Sequence, residues 1–537
     1  PSIVYAGTGN AFDGGFVFGA RKLSGGAFYK GVGIYKSIDA GETWTIVGKS
    51  VFSNLGIVRI VLPSAGVLLV ATTNGLYRSA DGGASFGDNA PNFNNGNSVL
   101  GGCISDLHLD PANSSTVLAA VVGVGILRST DAGMTFPANS NLFTATNGAP
   151  AANFDYISFS QSTQPNNQTI YASVKDSRPQ TTPARPSPFP FLGLFRSTNG
   201  GTTWSPMTAI DTFANGCQCG YDQTIGVDPQ DANRVYLGFQ ELYYSDNGGT
   251  SFSKVSKPKI HWDHHAITFS PQSHISSAPP TQIWVGTDGG VHSSTDAGTN
   301  WANLNDGIGT NLFFSLDIGR GSATNNAYSY GGTQDTGTLV RRPGFSGNDW
   351  HLAIDGDGGR IAVDPCDPQH AIGTDNGTFI FTGDGGATWT LGGGGFPSGT
   401  RLGVLRYDPN CRNAYAGSGT RLFQSTDNAA TFSSVRTFPS GITAIAATKQ
   451  DSNTLWVALG NGTLQRTSNA LMGSSATWTA LTVTGAPAGL APSSIAIDPT
   501  NANIAVIVYP SFTGVGLNLA GDPINRTKHV FMTTDNG

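Results

Sequence analysis

Charge is scarce in this chain. Asp, Glu, Lys and Arg make up 12 % of the 537 residues, too little for long surface helices laced with ion pairs. The 29 Lys and Arg are outnumbered by 35 Asp and Glu, giving a formal charge of −6. No basic field is present to hold a phosphate backbone, and nucleic acid is excluded as a partner. No run of about 18 apolar residues exists to span a bilayer, and no basic-then-apolar leader opens the chain, so a mature soluble or surface protein is expected. Cysteine is rare as well: five residues are too few for a disulfide scaffold, and none forms a CxxC pair of zinc-finger spacing. Walker, HExxH and CxxCH motifs are also missing.

Glycine, by contrast, occurs 72 times, which favours many short strands and tight turns. The fold class is all-β. An eight-residue box recurs at Ser37–Trp44, Ser79–Phe86, Ser129–Phe136, Ser197–Trp204, Ser245–Phe252, Ser294–Trp301, Thr382–Trp389 and Ser425–Phe432. Worn copies lie at Gly347–Trp350, Thr467–Trp478 and Thr533–Gly537, making eleven repeat positions. Each unit reads as an apolar strand ending in Asp-Pro, a second strand such as VYAGTG, a third such as GLYRS, then the box. Four strands per unit of about 40 to 50 residues is the period of a propeller blade. The Asp or Asn of each box accepts turn N–H groups, its glycine takes a conformation closed to other residues, and its aromatic plugs between blades. These Asp residues are read as structural.

The boxes resemble the Asp-box, or BNR, repeat superfamily, which includes sialidases, xyloglucan-cleaving endoglucanases of two seven-bladed propellers, and the sortilin-type Vps10 propeller. The resemblance covers the whole chain and implies an Asp-box β-propeller, with function left open. Eleven positions imply two tandem seven-bladed propellers, the second incomplete, over residues 1–345 and 346–537; the alternative is a single ten-bladed ring. The chain opens on a second strand and stops inside a box, so a longer polypeptide is expected.

Loops entering the innermost strands, and those joining second to third strands, gather on one propeller face. This rule collects His261, Asp263, His264 and His265 (HWDHH), Asp288, Gln334 and Asp335 (GGTQDTGT), Asp355 and Asp357 (DGDGG), and Asp375. HxDHH, GGxQDxG and GDGG resemble elements of bacterial sortilin-like BNR proteins, with no catalytic assignment to carry over. Three readings compete for the cluster. One is a site for calcium or another divalent metal, with His261, Asp263 and His265 alternating along an extended segment and Asp355 and Asp357 adding carboxylates. Another is a carboxylate pair for glycoside cleavage, for which Asp13, Asp335 and Asp355 are the catalytic candidates. The third is a polar plug of the channel.

Gln334 and Asp335 are candidate ligand-binding residues. The proline-rich stretch RPQTTPARPSPFPF is expected to present Phe189 and Phe191 to a partner. Cys366 and Cys411, just after equivalent strands of neighbouring repeats, are a candidate disulfide, against two separate buried thiols; Cys103, Cys217 and Cys219 leave room for one further bridge and one spare thiol. Sialidases need an Arg-Ile-Pro strand that this chain lacks. The expected function is an extracellular or cell-surface propeller presenting a rigid face to a polysaccharide or extracellular protein. The alternative is a polysaccharide-active glycoside hydrolase working between two propellers.

Overall fold

The structure is a computed structural model. It describes all residues except 1, 10–30, 88–99, 138, 165–166, 178–190, 208–217, 256–259, 271–281, 307, 310, 321–323, 325–326, 346–348, 412, 488, 511–515, 518–522, 525–528 and 536–537. The described residues form eleven antiparallel sheets of three or four strands and one two-stranded ribbon, Gly516–Leu517 with Pro523–Ile524. Among them, no helix is long and apolar enough to cross a membrane.

Two compact units divide the chain, Pro1–Ile308 with six of the sheets and Gly309–Gly537 with five. Seven sheets per ring were expected, and a boundary near 345. The division instead falls at Ile308/Gly309. Residue 345 lies inside the seventh sheet, where Gly337–Arg341 before it pairs with His351–Ile354 after it. The proposed boundary therefore falls within a sheet, between two of its paired strands.

Within each unit, the first strand of one sheet packs beside the first strand of the next. The side-by-side faces are apolar. Between the third and fourth sheets, for example, Leu118 and Ala120 meet Ile157, Phe159 and Ala172, closed at the rim by Trp204. Polar side chains stitch the inner strands across the same boundaries. Ser105 Oγ donates to Ile157 O at 2.9 Å, Asp106 Oδ2 accepts Phe159 N–H at 3.0 Å, and Asp317 Oδ2 accepts Val363 N–H at 2.9 Å.

A second brace comes from tyrosines of the second strands. The hydroxyls of Tyr5, Tyr171, Tyr236 and Tyr330 donate to the carbonyls of Gly82, Ala232, Ala297 and Pro368, each in a turn of the following sheet. The last three rings are fully buried. Burial of the ring and satisfaction of its hydroxyl thus occur together, which is the condition for a stable buried phenol. In the tenth sheet Trp456 occupies the equivalent strand, and its indole N–H is buried without an acceptor among the described residues.

The boxes are held by a hub of two side chains. In Ser79–Phe86, Ser79 Oγ donates to Asp81 Oδ1 at 2.8 Å and accepts the N–H groups of Asp81 and Gly83. Asp81 Oδ1 accepts Ser85 N–H, and Oδ2 the Ser85 hydroxyl. The same contacts recur at Ser37/Asp39, Ser129/Asp131, Thr382/Asp384 and Ser425/Asp427. The serine was not foreseen as a partner. Nor is glycine obligatory: Ala40, Ala132, Ala297 and Ala429 hold φ of 56 to 64° in these turns, so the hub imposes a left-handed backbone that alanine resists. In the tenth sheet Thr467 and Asn469 build the hub, and Asn469 Oδ1 accepts Thr477 N–H across an inserted 3-10 segment, Ala470–Ser475.

Cys366 and Cys411 are joined, with Cα atoms 5.9 Å apart and a sequence separation of 45. Each follows an Asp-Pro turn in which Asp364 or Asp408 accepts an N–H two residues on, and the bond ties the eighth sheet to the ninth. Cys219 is also disulfide-bonded, while Cys103 is a buried free thiol.

Two outcomes follow. Tyr236→Phe removes one buried hydroxyl and leaves Ala297 O without its donor, which costs about 1 to 2 kcal/mol, read as a lower denaturation midpoint with unchanged m-value. Dithiothreitol lowers the melting temperature of the native chain through loss of the Cys366–Cys411 link, worth about 2 to 4 kcal/mol; a Cys366→Ala/Cys411→Ala variant starts lower and responds less to the reductant.

Candidate active site

The first unit brings three chain segments to one end of its sheets. Gln218–Asp222 leads into the fifth sheet at Thr224–Val227, Ile260–Asp263 leads into the sixth at His264–Phe269, and Asp288 sits in the turn between Ile283–Thr287 and Gly290–Ser294. Backbone bonds lock them together. Asp263 N–H donates to Gln240 O at 2.9 Å, and Asp288 N–H to Asp263 O at 3.1 Å.

Asp263 has φ +59°, so HWDHH is not one extended run. The left-handed residue breaks the alternation on which a shared metal-facing side was expected for His261, Asp263 and His265. Among the described residues, no group of three donors close enough to share an ion includes His261, His265, Asp355 or Asp357. The Nδ1 atom of each of the three rings, His261, His264 and His265, faces a backbone carbonyl. His261 Nδ1 lies 3.0 Å from Trp262 O, and its ring covers Gly289, where a side chain would collide with it. His264 is fully buried, with Nδ1 on Phe239 O at 3.0 Å and Nε2 without a partner. Burial lowers its pKa to about 4, so it is a neutral core residue.

His265 is the opposite case. Its Nδ1 faces Tyr221 O at 3.1 Å and its Nε2 faces Asp288 Oδ1 at 2.6 Å. Both partners are acceptors at the contact, so both nitrogens carry protons and the ring is an imidazolium. Burial works against that charge, and the Asp288 carboxylate outweighs it, raising the pKa. Tyr221 completes the group: its hydroxyl donates to Asp288 Oδ2 at 2.8 Å and its ring stands edge-on to His265 at 4.7 Å.

Behind this group lies a pair of carboxyls. Asp222 is fully buried; its Oδ1 accepts Gln218 N–H at 3.1 Å, and its Oδ2 is buried with no donor among the described residues. Asp263 is half-buried and receives only a long contact from Gln218 Nε2, at 3.4 Å. Burial, then the charge of Asp263, raises the pKa of Asp222, and burial, then the charge of Asp288, raises that of Asp263. Two adjacent carboxyls with so few donors share a proton at neutral pH. Beside them, Trp262 exposes 46 % of its surface.

A cavity of about 420 Å³ opens from the same face, lined on one side by Tyr221, His265 and Asp288 and on the other by Arg59, Asp106 and Tyr156. Asp106 is buried, with Oδ1 3.0 Å from Arg59 Nε and 3.2 Å from His108 Nε2. Burial alone would raise its pKa; the Arg59 and His108 charges and hydrogen bonds overcome this and hold the carboxyl well below the usual range.

The second unit gathers the other candidates at its seventh and eighth sheets. Gln334 and Asp335 occupy the turn between Ser329–Thr333 and Gly337–Arg341, Asp335 N–H donates to Asp357 Oδ1 at 3.0 Å, and Asp357 O accepts Asn376 N–H. Asp355 and Asp357 enter the strand Gly358–Val363, and burial followed by their two charges raises the pKa of Asp375. Asp13 and Phe189 lie outside the described residues. Phe191 is not presented to a partner: it opens the strand Phe191–Ser197, is 5 % exposed, and packs edge-on to Phe239. The sequence reading missed Asp222, Tyr221, Arg59 and Trp262. Asp222 precedes an inner strand just as Asp263 does, and the same face rule would have collected it.

The chain is similar over 94 % of its length to a solved ancestral GH74 enzyme, of which it covers 74 %, with TM-score 0.59 and 14 % identity. The fold is a xyloglucanase-like β-propeller. A solved GH74 enzyme of Niastella koreensis aligns with all of the chain and 82 % of its own length at TM-score 0.47 and 18 % identity. In sequence, the propeller matches a xyloglucanase of Hypocrea jecorina at 28 % identity over 139 residues, which is 20 % of this chain and only 16 % of that protein. No family model matches the chain.

Asp222→Asn tests the carboxyl pair. The folded state keeps a proton that the unfolded carboxyls release above about pH 4, so the native protein loses stability as pH rises through and beyond that value. The amide removes this penalty: denaturation midpoints of the variant exceed those of the native chain at pH 7 to 8, and the gap closes toward pH 4.

Proposed function

We propose that the protein is a polysaccharide-active glycoside hydrolase, secreted or held at the cell surface, with Asp263 as its general acid. The observation that carries this reading is a half-buried carboxyl, whose pKa burial and the neighbouring Asp288 charge raise to about 6, next to an exposed indole. A protonated acid is what a glycosidic oxygen needs as it leaves, and a tryptophan face is a platform for a sugar ring. Asp288 serves Asp263 electrostatically. Their oxygens lie within 4.8 Å, closer than the roughly 5 to 5.5 Å of retaining pairs or the 6.5 to 9.5 Å of inverting ones, so the carboxylate that attacks or activates water is a separate residue.

The likeness in fold to GH74 enzymes and the short sequence match to a xyloglucanase support xyloglucan or another β-glucan as substrate. The disulfides support an oxidising, extracellular setting.

The native protein is expected to release reducing ends from xyloglucan, with a rate that falls on the alkaline side of about pH 6, where Asp263 loses its proton. Asp263→Asn lowers kcat by roughly 100-fold or more while polysaccharide retention on affinity gels persists. Retention without any hydrolysis by the native chain would replace this reading with that of a glycan-binding propeller.

A further inference from the structure

The cavity of the first unit contains one feature that cleavage at Asp263 does not use. Arg59 stands at its wall with 45 % of its side chain exposed, its Nε in an ion pair with buried Asp106 at 3.0 Å. Its two Nη groups make no hydrogen bond or ion pair with the described residues. A guanidinium offers five donors in a rigid fork. Here Asp106 holds the guanidinium as an ion pair, and no hydrogen bond with the described residues occupies the fork.

The anchor is itself rigid. Asp106 is 2 % exposed, accepts Phe159 N–H at 3.0 Å from the next sheet, and is held ionised between Arg59 and His108. Arg59 therefore has little freedom to swing away, and binding at its free edge costs little side-chain entropy. The rest of the wall suits a sugar. Thr224, Ser158, Tyr156 and Tyr221 stand on the lining, and the volume of about 420 Å³ is within the range of small-ligand sites. The opposite charges, Asp288 and His265, already neutralise one another at 2.6 Å, so neither competes for the fork.

We propose that this cavity is a binding site for an acidic sugar, a uronic acid residue whose carboxylate pairs with the Nη edge of Arg59 while its hydroxyls meet the Thr224 side of the wall. The fork matches a carboxylate in a two-point hydrogen-bonded pair, which neither a hydroxyl nor an amide reproduces. The site does not depend on hydrolysis at Asp263, and it directs the protein toward polysaccharides that carry uronate groups.

The test is titration calorimetry or ligand-observed NMR on the full chain with D-glucuronate, its neutral isostere D-glucuronamide, and D-glucose. Glucuronate is expected to bind at least tenfold more tightly than the other two, with affinity that falls as sodium chloride rises. Arg59→Lys keeps a cation for Asp106 but removes the fork, and should weaken glucuronate at least tenfold while leaving the melting temperature within a few degrees. Equal affinity for the acid and the amide, no measurable glucuronate binding, or full affinity in a folded Arg59→Lys variant would each overturn the proposal. Should Arg59→Lys fail to fold, the acid-against-amide comparison on the native chain still decides it. Because Asp263→Asn leaves the cavity wall intact, its loss of hydrolysis and any loss of glucuronate binding are read separately.

Discussion

Each sheet in this protein has two apolar faces and is too small to bury either alone, so the whole structure depends on neighbouring sheets meeting face to face. Apolar contact supplies most of the attraction but little positional information. Register comes from polar side chains at two depths. Near the inner strands, Ser105, Asp106 and Asp317 reach the next sheet's backbone; farther out, the tyrosine hydroxyls of the second strands do the same. A sheet fixed at two points cannot rotate about either.

That fixation is what allows strained and charged groups to persist at one end of the first unit. Asp263 keeps a left-handed backbone because its N–H and C=O are committed to Gln240 and Asp288. His265 keeps both protons because two acceptors belonging to rigid neighbours face it. Asp106 plays a double part, stitching two inner strands and orienting Arg59 into the cavity. Stability and recognition meet in the same carboxylate, and its loss would be felt in both.

The fold was legible because the box chemistry repeats in the letters themselves: serine, acid and glycine recur at fixed offsets, and eleven copies predict eleven sheets. The unit boundary was not, since a worn box looks like an interruption while the pairing across it is unbroken. Phe191 was misread because the prolines before it suggest a loop, whereas the strand starts at that residue. His261, Asp263 and His265 alternate in sequence, and only the positive φ of Asp263 shows that alternation to be a poor guide to direction. Asp222 was overshadowed by the cysteines beside it, although its place before an inner strand carried the signal. Arg59 had no motif at all; its significance arises from the buried acid that holds it, a partner 47 positions away in the chain.

The inserted segment in the tenth sheet gives the box turns a different character. Thr467, Asn469 and Thr477 close the same hub around a 3-10 segment, Ala470–Ser475, that the other boxes do not carry. A turn secured at its two feet is indifferent to the length of the arch between them. Such turns are ready-made sockets for foreign loops, and the rim of this protein is a scaffold on which extra segments can be grafted without disturbing the sheets beneath.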